Sequence, residues 1–131
     1  MFNTNFGIEI EFTGITRSKA AGVVADHLGG TIQHTGGSYD TYTVTAPDGR
    51  VWKLMSDSSI TALKKERGTL MSADSTYKVE LVSPILTYDQ DIDTLQELVR
   101  KLRRAGAVAP DNAGIHYRKQ DITKRSRAKT Q

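Results

Sequence analysis

Phe6, Ile8, Ile10 and Phe12 fall at every second position with Glu9 and Glu11 between them, the two-residue period of a strand that has one apolar and one polar face. Gly14 ends that pattern. From Thr16 to Leu28 the apolar positions Ala20, Val23, Val24 and Leu28, with His27 among them, change to helical spacing, and Gly29-Gly30 supplies the stop. Thr31 to His34 reads as a short strand. Tyr42, Val44 and Ala46 alternate, Pro47-Asp48-Gly49 is a turn signal, and Val51 to Met55 resumes the strand, so this stretch predicts a hairpin. Ser56 to Ser75 is polar and poorly patterned. It reads as a long loop, with a short helix around Ile60 to Lys65 as its one candidate element.

Tyr77 to Val82 is a further strand, stopped by Ser83-Pro84. Ile92, Leu95, Leu98, Val99 and Leu102 then define an amphipathic helix, for which Thr87 and Gln90 make a capping box. Asp89, Asp91 and Asp93 lie in its first turns, and Arg100, Lys101, Arg103 and Arg104 in its last, both complementing the helix dipole. Pro110-Asp111-Asn112 is a turn and Ile115 to Tyr117 a last short strand. There is no internal repeat. This order predicts one α+β domain over residues 1–117, with a mostly antiparallel sheet and two helices on one face. Leu95, Leu98, Val99 and Leu102 are expected to bury against Phe6, Ile8, Ile10 and Phe12.

Charge changes the picture at the C-terminal end. Arg118, Lys119, Lys124, Arg125, Arg127 and Lys129 stand against one acid, Asp121, a net of +5. The rest of the chain, with twelve basic and fourteen acidic residues, carries −2. Residues 118–131 therefore read as a basic, flexible tail suited to phosphates or to a protein partner. The 131-residue length suits a single core. Cysteine is absent, which excludes disulfides, thiolate zinc sites and a cysteine nucleophile. No apolar run approaches a membrane span and the first residues do not read as a signal peptide, so a cytoplasmic protein without a membrane partner is expected.

Two residues apart on a strand, Glu9 and Glu11 share a face and can offer oxygens to a hard cation such as Mg²⁺ or Mn²⁺. The same spacing also describes a strand with its polar face in water. Glu80 repeats the pattern between Val79 and Leu81. Asp57-Ser58-Ser59 follows the Trp52 strand, where it presents a carboxylate and two hydroxyls to a ligand or caps a short helix. Trp52 fits a core anchor as well as a stacking platform. His27 sits on an apolar helix face, and His34 has no evident partner. Glycine-rich phosphate loops, Gly-x-Ser-x-Gly and His-Glu-x-x-His are all absent, which leaves nucleophilic catalysis without support.

Phe6-Gly7-Ile8-Glu9-Ile10-Glu11-Phe12, Trp52 before Asp57-Ser58-Ser59, Tyr77 to Leu86 and Asn112-Ala113-Gly114-Ile115-His116, in this order, resemble the amidoligase family, related to glutamine synthetase and the carboxylate-amine ligases. The resemblance implies the N-terminal half of a glutamine synthetase-like domain, whose concave sheet face holds Mg²⁺ and ATP. There a carboxylate is activated as an acyl phosphate and captured by an amine. It implies metal ligation by Glu9, Glu11 and Glu80, a metal or phosphate contact at His116, and a ligand site lined by Trp52, Lys53, Asp57, Ser58 and Ser59. The family's last motif here typically reads Cys-Gly-x-His-x-His. This chain has Ala113 in place of the cysteine and Arg118 in place of the second histidine. An arginine is a permanent cation that cannot ligate a metal. The downstream half of the family pattern is expected to be missing.

Two functions are therefore expected to compete. In one, the domain is non-catalytic and binds a protein or nucleoprotein, in the manner of inhibitors carried by phages or mobile elements against host defence such as CRISPR–Cas, with the tail on phosphates. That analogy rests on genetic economy. In the other, the chain is an Mg²⁺- and ATP-dependent carboxylate-amine ligase.

Overall fold

The computed structural model describes residues 4–110 and the backbone of residues 116–120. β1 (Asn5–Phe12) is the strand that the alternation predicts, with Phe6, Ile8, Ile10 and Phe12 buried and Glu9 and Glu11 half-buried. α1 (Arg17–Leu28) starts at Thr16, whose Oγ1 accepts the Lys19 N–H at 3.1 Å, and stops at Gly29 in the left-handed conformation. β2 (Thr31–Gly36), β3 (Thr41–Thr45) and β4 (Val51–Met55) follow as an antiparallel meander, with Val44 opposite Trp52 and Tyr42 opposite Leu54.

The stretch expected to be a loop is different. β5 (Leu63–Glu66) and β6 (Thr69–Ser72) form a separate two-stranded hairpin, followed by a 3-10 turn at Ser75–Tyr77. Its turn is Arg67-Gly68, at φ 52° and 80°, a pair of left-handed residues whose twist suits a two-residue hairpin connection. The helix expected around Ile60 to Lys65 is therefore replaced by a strand. The hairpin lacks a continuous apolar face, which is why alternation did not reveal it. Thr13 anchors its base: Oγ1 accepts the Leu63 N–H at 2.8 Å and donates to the Leu63 carbonyl at 3.0 Å.

β7 (Val79–Val82) and β8 (Leu86–Thr87) pair in succession with β1, with Glu11 opposite Glu80 and Phe6 opposite Leu86. α2 (Tyr88–Arg104) begins at Thr87, but not through the expected capping box. The Thr87 side chain caps nothing; Asp91 Oδ2 instead accepts the Thr87 N–H at 2.7 Å. β9 (His116–Gln120) pairs antiparallel with β1, so Arg118 and Lys119 stand in a strand rather than in the tail. The main sheet runs β2-β3-β4-β7-β1-β8, with β9 also on β1, and is antiparallel throughout. No described helix is long and apolar enough to cross a membrane.

One face of this sheet makes the core. Leu54, Trp52, Val44, Val79 and Leu81 join the apolar face of β1 against Ala20, Ala21 and Val24 of α1 and Leu95, Leu98 and Leu102 of α2, with Val99 only partly buried. After α2 the chain returns to the end of β1, where Thr13 and Val108 exchange backbone hydrogen bonds of 2.9 Å. Gly14 permits that approach: it sits at φ 93°, and a Cβ there would lie 2.3 Å from the Gly106 carbonyl oxygen.

Two ion networks tie the layers. Arg17, buried at the start of α1, donates to the Ser75 and Lys78 carbonyls at 2.7 and 2.8 Å and to Asp40 Oδ2 at 2.8 Å. His34, stacked on Tyr42 at 4.1 Å, meets Asp40 Oδ1 at 2.7 Å. Arg50 forks onto both oxygens of Asp91 at 2.9 and 3.0 Å and reaches Asp48, fastening the β3–β4 hairpin to α2.

Candidate metal centre

The face of the sheet away from the helices carries the polar residues of β1 and β7. Strand alternation puts Glu11 and Glu80 on it, and register makes them direct cross-strand partners. Like charges directly opposite on a sheet destabilise it, so nothing about pairing alone favours this choice. The chain leaving β4 adds a third acid. Met55, the last residue of β4, is the partner of Glu80, and Asp57 follows two residues later. Carboxylate oxygens of Glu11, Asp57 and Glu80 all lie within 4.8 Å of one another, and all three side chains are half-buried.

The Asp57 loop is fixed at several points. Ser56 N–H donates to the Tyr39 carbonyl at 2.9 Å, Ile60 N–H to the Asp57 carbonyl at 3.1 Å, and Lys78 Nζ to the Ser58 carbonyl at 3.4 Å. Ser59 donates to Asp57 Oδ1 twice, from its N–H at 3.0 Å and its Oγ at 2.7 Å. Burial pushes the Asp57 carboxyl up, but the Ser59 bonds, with further ones from the Glu11 and Glu80 side chains, outweigh it and leave the group below the ordinary carboxylate range. Three carboxylates so close cannot all carry full charge without a cation or a shared proton between them.

This donor set suits a hard cation. All three donors are carboxylate oxygens, and an ion about 2.1 to 2.4 Å from each donor accommodates oxygens up to roughly 4.2 to 4.8 Å apart, the range of Mg²⁺ through Ca²⁺. Glu9 is not one of the three. It lies one step along β1, with Val82 and Arg118 as its Cα partners. His116 is the Cα partner of Glu11, but its side chain lies outside the described residues, as do those of Arg118 and Lys119. Lys124, Arg125, Arg127 and Lys129 lie outside them entirely. Lys53 is exposed and shares a row with Val82 and Glu9, beside the row of the carboxylates. Ser58 and Ser59 are exposed on the loop. Trp52 does not line this face: it is 2% exposed and packs into the core on the helix side, because its position in β4 alternates with that of Lys53.

The sequence reading set Asp57 among ligand-contacting residues and missed its place with Glu11 and Glu80. The signal available was its position just past the end of β4, but the β4–β7–β1 strand order was needed to use it. The sequence profile described as "Putative amidoligase enzyme" matches residues 3–118, nearly all of the described chain. The chain belongs to that family. No curated protein and no solved structure matches.

Proposed function

We propose that this amidoligase-family chain holds a divalent cation, Mg²⁺ or Mn²⁺, on Glu11, Asp57 and Glu80, beside a nucleotide, and forms an amide from a carboxylate and an amine. The observation that supports it is the gathering of three carboxylates from β1, β7 and the loop after β4. When bound, Mg²⁺-ATP supplies a phosphoryl group that activates the substrate carboxylate for attack by the amine. The chain's own part is positioning and charge. Glu11 and Glu80 are set on a rigid sheet, and Ser59 fixes the rotamer of Asp57. Lys53, one row away, offers a cation to an anionic substrate group.

Titration calorimetry with Mn²⁺ tests this reading. Wild-type protein is expected to give a saturating heat of binding, and the double change Glu11→Gln with Glu80→Gln to abolish it. Because protons compete for the same oxygens, affinity should fall as pH drops through the carboxylate range. A wild type that shows no heat at millimolar metal overturns the reading.

One observation favours a second function. The register sets Arg118 opposite Glu9, at the place where the resemblance expects a histidine. On this reading the chain is a non-catalytic binding domain for a protein or nucleoprotein, of the kind phages and mobile elements direct against host defence. Residues from Arg118 to Lys129 then contact phosphates. Metal indifference, together with duplex affinity that falls with salt along a log–log slope no steeper than about −5, is its signature.

A further inference from the structure

Among the described residues the main sheet ends on one side in β2, an edge that carries no Asp, Glu, Lys, Arg or proline and whose one irregularity is the bulge at Thr35. Five of its six residues are exposed. Thr31 to Gly36 contains no proline and no Asp, Glu, Lys or Arg, and it lies within the longest charge-free run of the chain, from His27 to Tyr39. Two of the exposed large apolar residues, Ile32 at 42% and Tyr39 at 58%, belong to the same run. The other terminal strand, β9, carries Arg118 and Lys119, the charged residues that commonly guard an edge. An edge of unpaired backbone groups without charges is a template for another strand.

We propose that β2 pairs with β2 of a second copy of this chain, antiparallel about a two-fold axis near Ile32. A self-complementary pairing needs a strand that meets itself without like charges, and this one does. With the axis at Ile32, the two Ile32 side chains face each other and Thr31 faces Gln33, combinations that a sheet tolerates well. The axis keeps the alternation in step, so the helix layers of both copies lie on one side and both carboxylate faces on the other. The register irregularity between His34 and Gly36 ends the pairing at one side.

Sedimentation velocity on the full chain, from micromolar to submillimolar protein, tests the proposal. Wild type should move to twice the monomer mass as concentration rises. Ile32→Lys, which places like charges at the axis, should stay monomeric, whereas Ile85→Lys at a distant exposed apolar residue should dimerise as wild type does. Hydrogen exchange provides a second measurement without mutation: the amides of Thr31 to His34 should gain protection with concentration. A wild type that remains monomeric throughout, or a dimer that survives Ile32→Lys with β2 amides indifferent to concentration, overturns it.

Discussion

Asp91 and Asp57 are both carboxylates held against the body of the domain, yet their surroundings are opposite. Asp91 is met by the Arg50 guanidinium on both oxygens and by the Thr87 N–H, so both of its oxygens have donors. Asp40 likewise has Arg17 on one oxygen and His34 on the other. Asp57 takes two hydrogen bonds from Ser59 on Oδ1 and is otherwise met by two more carboxylates. The first arrangement joins pieces of the fold. The second gathers like charge where a sheet would be more stable without it, and a cation is the partner that would reverse that cost. The contrast separates ion pairs that join elements of the fold from a gathering of like charge on one face of the sheet.

The largest expected effect lies on the structural side. Arg17→Met removes the charged donor from the Ser75 and Lys78 carbonyls and from Asp40, which itself stays open to water, and should cost about 3 kcal/mol in chemical denaturation. A loss below a tenth of that would show the network to be ornamental.

Asp91→Asn should cost less, about 2 kcal/mol, and the cost should depend on pH. Hydrogen bonds from Arg50 hold the Asp91 carboxyl below its ordinary value, against the upward push of burial. A depressed folded-state pKa contributes stability that is present above the unfolded value, near 3.9, and is lost as pH falls through the folded value. The difference in melting temperature between wild type and Asp91→Asn should therefore be full at neutral pH and shrink in acid. A difference that grows in acid would contradict the assignment.

At the carboxylate centre the sign reverses. Glu80→Gln should leave the metal-free protein as stable as wild type or raise it by about 0.5 to 1 kcal/mol, since it removes a like-charge cross-strand pair. The same change should remove the melting shift that Mn²⁺ gives wild type. Destabilisation without metal would mean that Glu80 is structural.

Much of this molecule is legible in its residues. The period of two in β1 and β4 and the helical spacing of α2 fix which side chains go inside, because burying apolar surface requires one continuous face. The β3–β4 hairpin follows from its turn residues. Glu9, Glu11 and Glu80 are visible as acids on a polar strand face for the same reason. The β5–β6 hairpin was hidden because its four-residue strands bury little and its turn, Arg67-Gly68, relies on a left-handed arginine that sequence preference does not announce.

What only the tertiary structure decided is which charges meet. Arg17 at the first turn of α1 opposes the helix dipole and reads locally as a mistake; it is explained only by Asp40 and two carbonyls from elsewhere in the chain. Glu11 and Asp57, forty-six positions apart, become neighbours because β4, β7 and β1 lie side by side, and Glu9, the nearer acid in sequence, is left out. Periodicity is a property of the local backbone, so the chain carries it everywhere. Strand order and register are set by the competition of whole faces for burial, and they alone bring distant carboxylates to one point.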